Sequence, residues 1–132
     1  MKAVQTLLLL GFVALPLACG YSSHASMPPQ PGVMPAITAL APNSESAGSG
    51  DFTLTVNGSN FSTKSVVNWN GAAHTTSFVS ANQLTAGIAA ADIATPATVS
   101  VTVTNPGTTG TGLYGGGGTT AETSNSMNFT VN

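Results

Sequence analysis

The residues that could do chemistry in this chain are few and far apart. There is one cysteine, Cys19, and there are two histidines, His24 and His74. The acids are Glu45, Asp51, Asp92 and Glu122; the cations are Lys2 and Lys64, with no arginine. A zinc-type site takes three or four His, Cys or carboxylate ligands at suitable spacing. No second His or Cys accompanies His74, and His24 reads as a solvated residue of a polar segment. Glu45 and Asp51 border one loop and, with backbone carbonyls, could approach a calcium ion; a solvated acidic loop accounts for them more simply. No metal and no cofactor is therefore expected. No carboxylate pair has the spacing support for acid–base work, and no serine stands in a nucleophile-elbow setting. The run Gly115–Gly118 could suggest a phosphate cradle, but no Lys-Ser/Thr follows it and no helix opens there to supply a dipole. The chain is read as having no catalytic residues and as not being an enzyme.

Cys19 is the exception, because of where it stands. Leu7–Leu17 is an apolar run of eleven residues after a weakly basic Met1-Lys2 start. A membrane-spanning helix needs about 20 such residues, so the run fits the apolar core of an export signal instead. It ends Leu15-Pro16-Leu17-Ala18-Cys19-Gly20, and a cysteine right after such a run and a small residue resembles a bacterial lipobox. Residues 1–18 are read as a signal peptide and Cys19 as the lipid-attachment residue. Pro16 and Leu17 depart from that pattern, which usually has Leu and then a small residue there. Ordinary signal cleavage near Ala18, leaving a free thiol, is the alternative. With no second cysteine, an intramolecular disulfide is impossible.

Tyr21–Gly32 is polar and holds Pro28, Pro29 and Pro31. Such a stretch favours an extended course of ~3.1 Å per residue, so it could hold a domain up to about 30–40 Å from its anchor. Residues 19–34 are thus read as the attachment cysteine and a linker, and 35–132 as one folded domain.

Charged residues make up only 5% of the chain. Nucleic-acid binding needs a basic patch to neutralise phosphates, and a single lysine past the leader cannot make one. No nucleic acid is expected as a partner.

The elements of the domain follow from period-2 alternation. Phe52, Leu54 and Val56 alternate with Thr53, Thr55 and Asn57, which gives a strand with one apolar and one polar face. Asn57-Gly58-Ser59-Asn60 is read as the turn that ends it, with Gly58 supplying a positive φ. Phe61 is expected to fold back and plug the core. Val67 and Trp69 share one face of the next strand, with Trp69 in the core, and Asn70-Gly71 predicts a tight hairpin turn. Ile37 and Leu40 face inward from a first edge strand that Pro35 confines to the margin. His74–Val79 is read as one strand with Phe78 inward. Leu84, Ala86 and Ile88 form another, and Ala89–Ile93 a single helical turn in which Asp92 is a cap or plain surface. Val99, Val101 and Val103 give the cleanest alternation, stopped by Asn105-Pro106-Gly107. Met127, Phe129 and Val131 face inward from the last strand. Asn57, Asn60 and Asn128 open glycosylation sequons, which a bacterial-type leader makes coincidental. About seven short strands at near-regular spacing predict an all-β, antiparallel sandwich.

Thr108–Asn125 interrupts that spacing with 18 residues, six of them glycine. Hairpin loops usually have about two to five residues. Leu113 and Tyr114 could make this a ligand-contact loop at one end of the sandwich. The entropy cost of ordering Gly115–Gly118 favours a disordered, tolerated insertion instead.

Together these segments resemble the IPT/TIG family of immunoglobulin-like domains. The likeness is carried by Pro35-Ala36-Ile37-Thr38, by Phe52 to Phe61 with its Gly58-x-x-Phe61 corner, by Val66 to Gly71, by Leu84-Thr85-Ala86, by Val101 to Pro106 and by Phe129-Thr130-Val131. They occur in family order over nearly all of residues 35–132. The resemblance implies an immunoglobulin-like fold and an interaction role, and no reaction. The expectation is a non-catalytic module exported to the cell envelope and held at the membrane by lipid on Cys19. Its partner would be an envelope or extracellular protein. The alternative is a carbohydrate-binding module, with polysaccharide as the partner, stacking on Tyr114 and Trp69; a soluble secreted form is the alternative location.

Overall fold

The computed structural model describes residues 28–110 and 117–132. Cys19, His24, Leu113 and Tyr114 lie outside the described residues. The strands are β1 (Ala36–Ala41), β2 (Ser44–Glu45), β3 (Phe52–Ser59), β4 (Val66–Trp69), β5 (Ala72–His74), β6 (Thr76–Ser80), β7 (Gln83–Ile88), β8 (Ala97–Asn105), β9 (Glu122–Thr123) and β10 (Met127–Val131). A 3-10 turn, Ala90–Ile93, joins β7 to β8. Setting aside β2, β5 and β9, which have two or three residues each, seven strands remain.

They form two sheets. One is β1-β3-β7-β6; the other is β2-β10-β8-β4-β5, with β9 also on β8. All pairs are antiparallel except β10 with β2. The fold is an antiparallel sandwich, as the alternation predicts, and immunoglobulin-like, as the family resemblance implies. Leu54, Val56, Leu84, Ala86 and Ile88 of the first sheet face Val67, Trp69, Val99, Val101, Val103 and Phe129 of the second, and all are buried. Burying a Val, Leu, Ile or Phe side chain is worth about 1.5–3 kcal/mol, so this alternating set supplies the driving force. One end of the core is aromatic. Phe129 stacks on Phe52 at 5.6 Å and tilts against Trp69 at 4.9 Å, while Phe52 meets Trp69 edge-on at 6.4 Å.

Three local expectations are corrected. Strand β3 does not stop at Asn57; it continues through Gly58 and Ser59, which pair with Ile37 and Ala36. The positive φ belongs to Asn60, at 60°. Gly58 is required for space instead: a Cβ there would lie 1.9 Å from the Ala36 carbonyl oxygen and 2.7 Å from the Phe61 ring. Phe61 itself is buried, as expected.

Next, His74–Val79 is not one strand. The backbone leaves the second sheet after His74 and enters the first at Thr76. The Thr76 hydroxyl fixes this crossing, accepting from Val67 N at 2.8 Å and donating to His74 O at 2.9 Å.

The third correction concerns Phe78. It pairs with the buried Leu84, so it lies in an inward-facing row, yet it is 40% exposed. β6 is the terminal strand of its sheet, and β5, the last strand of the opposite sheet, has only three residues and packs against β7. An inward direction does not bury a side chain where the opposite sheet has ended.

Candidate binding surfaces at the two ends of the sandwich

One end is built on Asn105. This residue ends β8 with 8% exposure, where its amide must find partners or lose its hydration uncompensated. It finds three. Nδ2 donates to Val33 O at 2.9 Å and to Asn60 O at 2.8 Å, and Oδ1 accepts from the buried Ser65 hydroxyl. Ser65 Oγ in turn accepts from Ser62 N at 2.7 Å. One amide therefore joins the entry segment, the Gly58–Phe61 corner and the approach to β4. As a sequence, Asn105-Pro106-Gly107 reads only as a strand stop, so the hub was missed. The available signal was an inward parity: Asn105 continues the buried series Val99, Val101, Val103.

The stem of the long loop closes over the same end. Thr108 and Thr119 exchange both backbone hydrogen bonds at 3.0 Å, and their hydroxyls lie 3.1 Å apart. Gln30 N donates to Gly118 O and Thr120 N to Gln30 O, both at 2.9 Å. A Cβ at Gly107 or Gly118 would fall 2.4 Å from a carbonyl oxygen. These glycines allow backbones to touch, so the described parts of Thr108–Asn125 are a paired stem and not an unstructured insertion. Asn125 then clamps β1: its Oδ1 accepts from Ile37 N at 2.8 Å and its Nδ2 donates to Ile37 O at 3.0 Å. Val33, Ser62, Lys64, Pro106 and Thr119 border a cavity of about 360 Å³ here.

At the opposite end the carboxylates are structural. Asp51 Oδ1 accepts from Ala90 N at 2.8 Å, and Asp92 Oδ2 accepts from Ala89 N at 3.1 Å. Both satisfy donors at the start of the 3-10 turn, so Asp92 is a cap. Asp92 also lies 3.4 Å from His74 Nε2, and His74 is held against Trp69 with ring centroids 6.4 Å apart. A nucleophilic dyad would need a hydroxyl or thiol on His74, whereas its facing group is a carboxylate. Glu45 Oε2 accepts from the adjacent Ser46 N at 3.3 Å, and Asp51 is engaged at the turn, so the two do not converge on a calcium position. Among the described residues, no three His, Cys, Asp or Glu side chains are grouped to hold a metal ion, and no helix is long and apolar enough to cross a membrane.

The remaining surface is hydroxyl and amide. On the outer face of the second sheet, Asn68 Nδ2 donates to Thr104 Oγ1 at 2.9 Å, Ser100 and Ser126 hydroxyls meet at 2.6 Å, and those of Thr104 and Thr123 at 3.1 Å. Among the described residues, large apolar side chains reach solvent at two places: Val33 and Met34 on the entry segment, and Phe78 and Val79 on β6. Trp69 is 4% exposed, so it offers no stacking face to a sugar.

A family model described as IPT/TIG domain matches residues 35–131. No curated protein and no solved structure matches the sequence.

Proposed function

The chain belongs to the IPT/TIG domain family, immunoglobulin-like modules that serve interaction and structure without chemistry of their own, and from that premise we propose a surface-anchored protein-binding or structural module of the cell envelope. The observation that carries the reading is how the ionisable and aromatic groups are used. Asp51 and Asp92 cap a turn, while Trp69, Phe129 and Phe52 pack on one another. Among the described residues, what is left for a partner is the β6 edge with Phe78 and Val79, the entry segment with Val33 and Met34, and the end loops. Lipid on Cys19, followed by the polar residues ahead of the docked Gln30, would present those surfaces away from the membrane. Leu113 and Tyr114 are the proposed contacts at the loop end. Polysaccharide, the second candidate partner, has lost Trp69 as a platform and would rest on Tyr114 alone.

Intact-mass measurement on the membrane fraction tests the anchor. The wild-type protein should begin at Cys19 and carry a diacyl or triacyl increment, and Cys19→Ala should lack it and leave the membrane. Crosslinking in intact cells, followed by enrichment, tests the partner. Envelope proteins should be captured by wild type and lost with a Phe78→Ser/Val79→Thr double variant. A soluble, unmodified protein that crosslinks to nothing would overturn the proposal.

A further inference from the structure

The sequence contains two Asn-Gly pairs, Asn57-Gly58 and Asn70-Gly71, and the fold treats them oppositely. We propose that Asn70 is a site of spontaneous covalent modification, converting to aspartate and isoaspartate in the folded protein, while Asn57 is protected. This chemistry is independent of the proposed binding role.

In this reaction the glycine nitrogen attacks the asparagine Cγ. A new N–Cγ bond closes a five-membered succinimide, the Cγ–Nδ2 bond breaks, and ammonia leaves with the proton given up by the glycine N–H. Water then opens either carbonyl of the ring, giving aspartate or isoaspartate. Water is the only co-reactant. The step needs a free asparagine amide, a free glycine N–H and room to rotate.

Asn70-Gly71 meets all three conditions. Both residues are exposed at the tip of the β4–β5 hairpin, with φ of 50° and 86°. Trp69 pairs with Ala72, so these two residues are the whole loop. Nothing lies within 4 Å of a Cβ built on Gly71. Asn70 N donates to Ser100 O at 2.8 Å, which holds neither reacting group. Among the described residues, no hydrogen bond engages the Asn70 side-chain amide or the Gly71 N–H.

Asn57-Gly58 fails each condition. It lies in β3, which is paired on both sides, by β1 and β7. Asn57 Oδ1 accepts from Gln83 Nε2 at 3.3 Å, and Gly58 N donates to Asn82 O at 2.9 Å. Gly58 pairs with Ile37 across the ladder and its N–H is held by Asn82 O, so its backbone is fixed from both sides.

The product matters to the surface. Asn70 borders a cavity of about 410 Å³ together with Trp69, Ala72 and Asp92. Conversion places a second carboxylate beside that of Asp92, and isoaspartate adds a methylene to a two-residue loop whose length sets the Trp69–Ala72 register.

The test is peptide mapping by mass spectrometry, with isoaspartyl-methyltransferase labelling, on folded and on denatured protein aged in the same mildly alkaline buffer. In the folded protein the Asn70 peptide should convert progressively to mixed acid forms while the Asn57 peptide stays amidated. In denaturant both should convert at similar rates. Asn70→Gly, which keeps a turn-compatible pair, should abolish the acidic species on charge separation. Persistence of the Asn70 amide in folded protein while denatured protein converts would overturn the proposal. So would conversion of Asn57 at the pace of Asn70 in the folded state.

Discussion

Single residues at the Asn105 end carry constraints out of proportion to their size. Asn105 holds three segments with one side chain. Its replacement by alanine strands the Ser65 hydroxyl and two backbone carbonyls; leaving buried polar groups unsatisfied costs about 1–3 kcal/mol. Urea unfolding of Asn105→Ala should show a lower midpoint with an unchanged slope. Gly58 and Gly87 provide a sharper contrast. Both are strand glycines, yet a Cβ at Gly58 would meet the Ala36 carbonyl at 1.9 Å, whereas one at Gly87 meets nothing within 4 Å. Gly58→Ala must therefore separate β1 from β3 and should cost at least the ~1–3 kcal/mol typical of overpacking. Gly87→Ala should change stability by no more than about 0.5 kcal/mol, as surface substitutions usually do. Thermal melts of the two variants side by side check this; equal melting points would refute the steric reading of Gly58.

At the scale of elements, the sandwich is asymmetric in how its edges are finished. β1 is closed by the Asn125 clamp and flanked by Pro35 and Pro42. β2 and β5 are too short to template much pairing. β6 carries no charge and no proline, and exposes Phe78 and Val79 at its bulged end. Native edges are commonly blunted by charge, proline or brevity, and β6 uses only the bulge. The Phe78→Ser/Val79→Thr variant should stay folded, at a cost of about 1–2 kcal/mol for the covered part of Phe78, while reducing crosslinked capture. If capture is unchanged, the contact surface lies elsewhere, with the end loops as the remaining candidate. The β5–β6 crossing makes a separate prediction. Thr76→Val removes the acceptor for Val67 N, a hydrogen bond worth about 1 kcal/mol. Amide exchange of Val67 should accelerate more than that of Val101 in the interior of β8.

For the whole molecule, stability rests on one shared core with an aromatic end. Phe129 touches both Phe52 and Trp69, and so joins the two sheets. Phe129→Ala should cost about 3–5 kcal/mol against a total of about 5–15 kcal/mol for a domain. The variant should be largely unfolded or melt many degrees lower, with loss of the near-ultraviolet Trp69 signal. The surface around this core bears very few charges, so electrostatic repulsion between copies is weak. That is consistent with the proposed life on a lipid anchor, where the spacer and membrane limit encounters that would otherwise lead to association.

The sequence alone determined the sheet content and which residues face inward, because alternation at period 2 is a local property and apolar burial follows it directly. Val99, Val101 and Val103 show this most simply, and the Asn70-Gly71 turn follows from two residues able to hold positive φ. The family likeness was legible in the same segments and in the Gly58-x-x-Phe61 corner. Tertiary structure decided the rest. Whether Phe78 is covered depends on where the opposite sheet ends. Whether Gly58 is a turn residue or a contact residue depends on how close β1 approaches. The partners of Asn105 lie up to 72 positions away in the sequence, at Val33, and no local pattern encodes that distance. The two Asn-Gly pairs make the division plain: identical as dipeptides, they differ only because one is locked between two strands and the other forms an open turn.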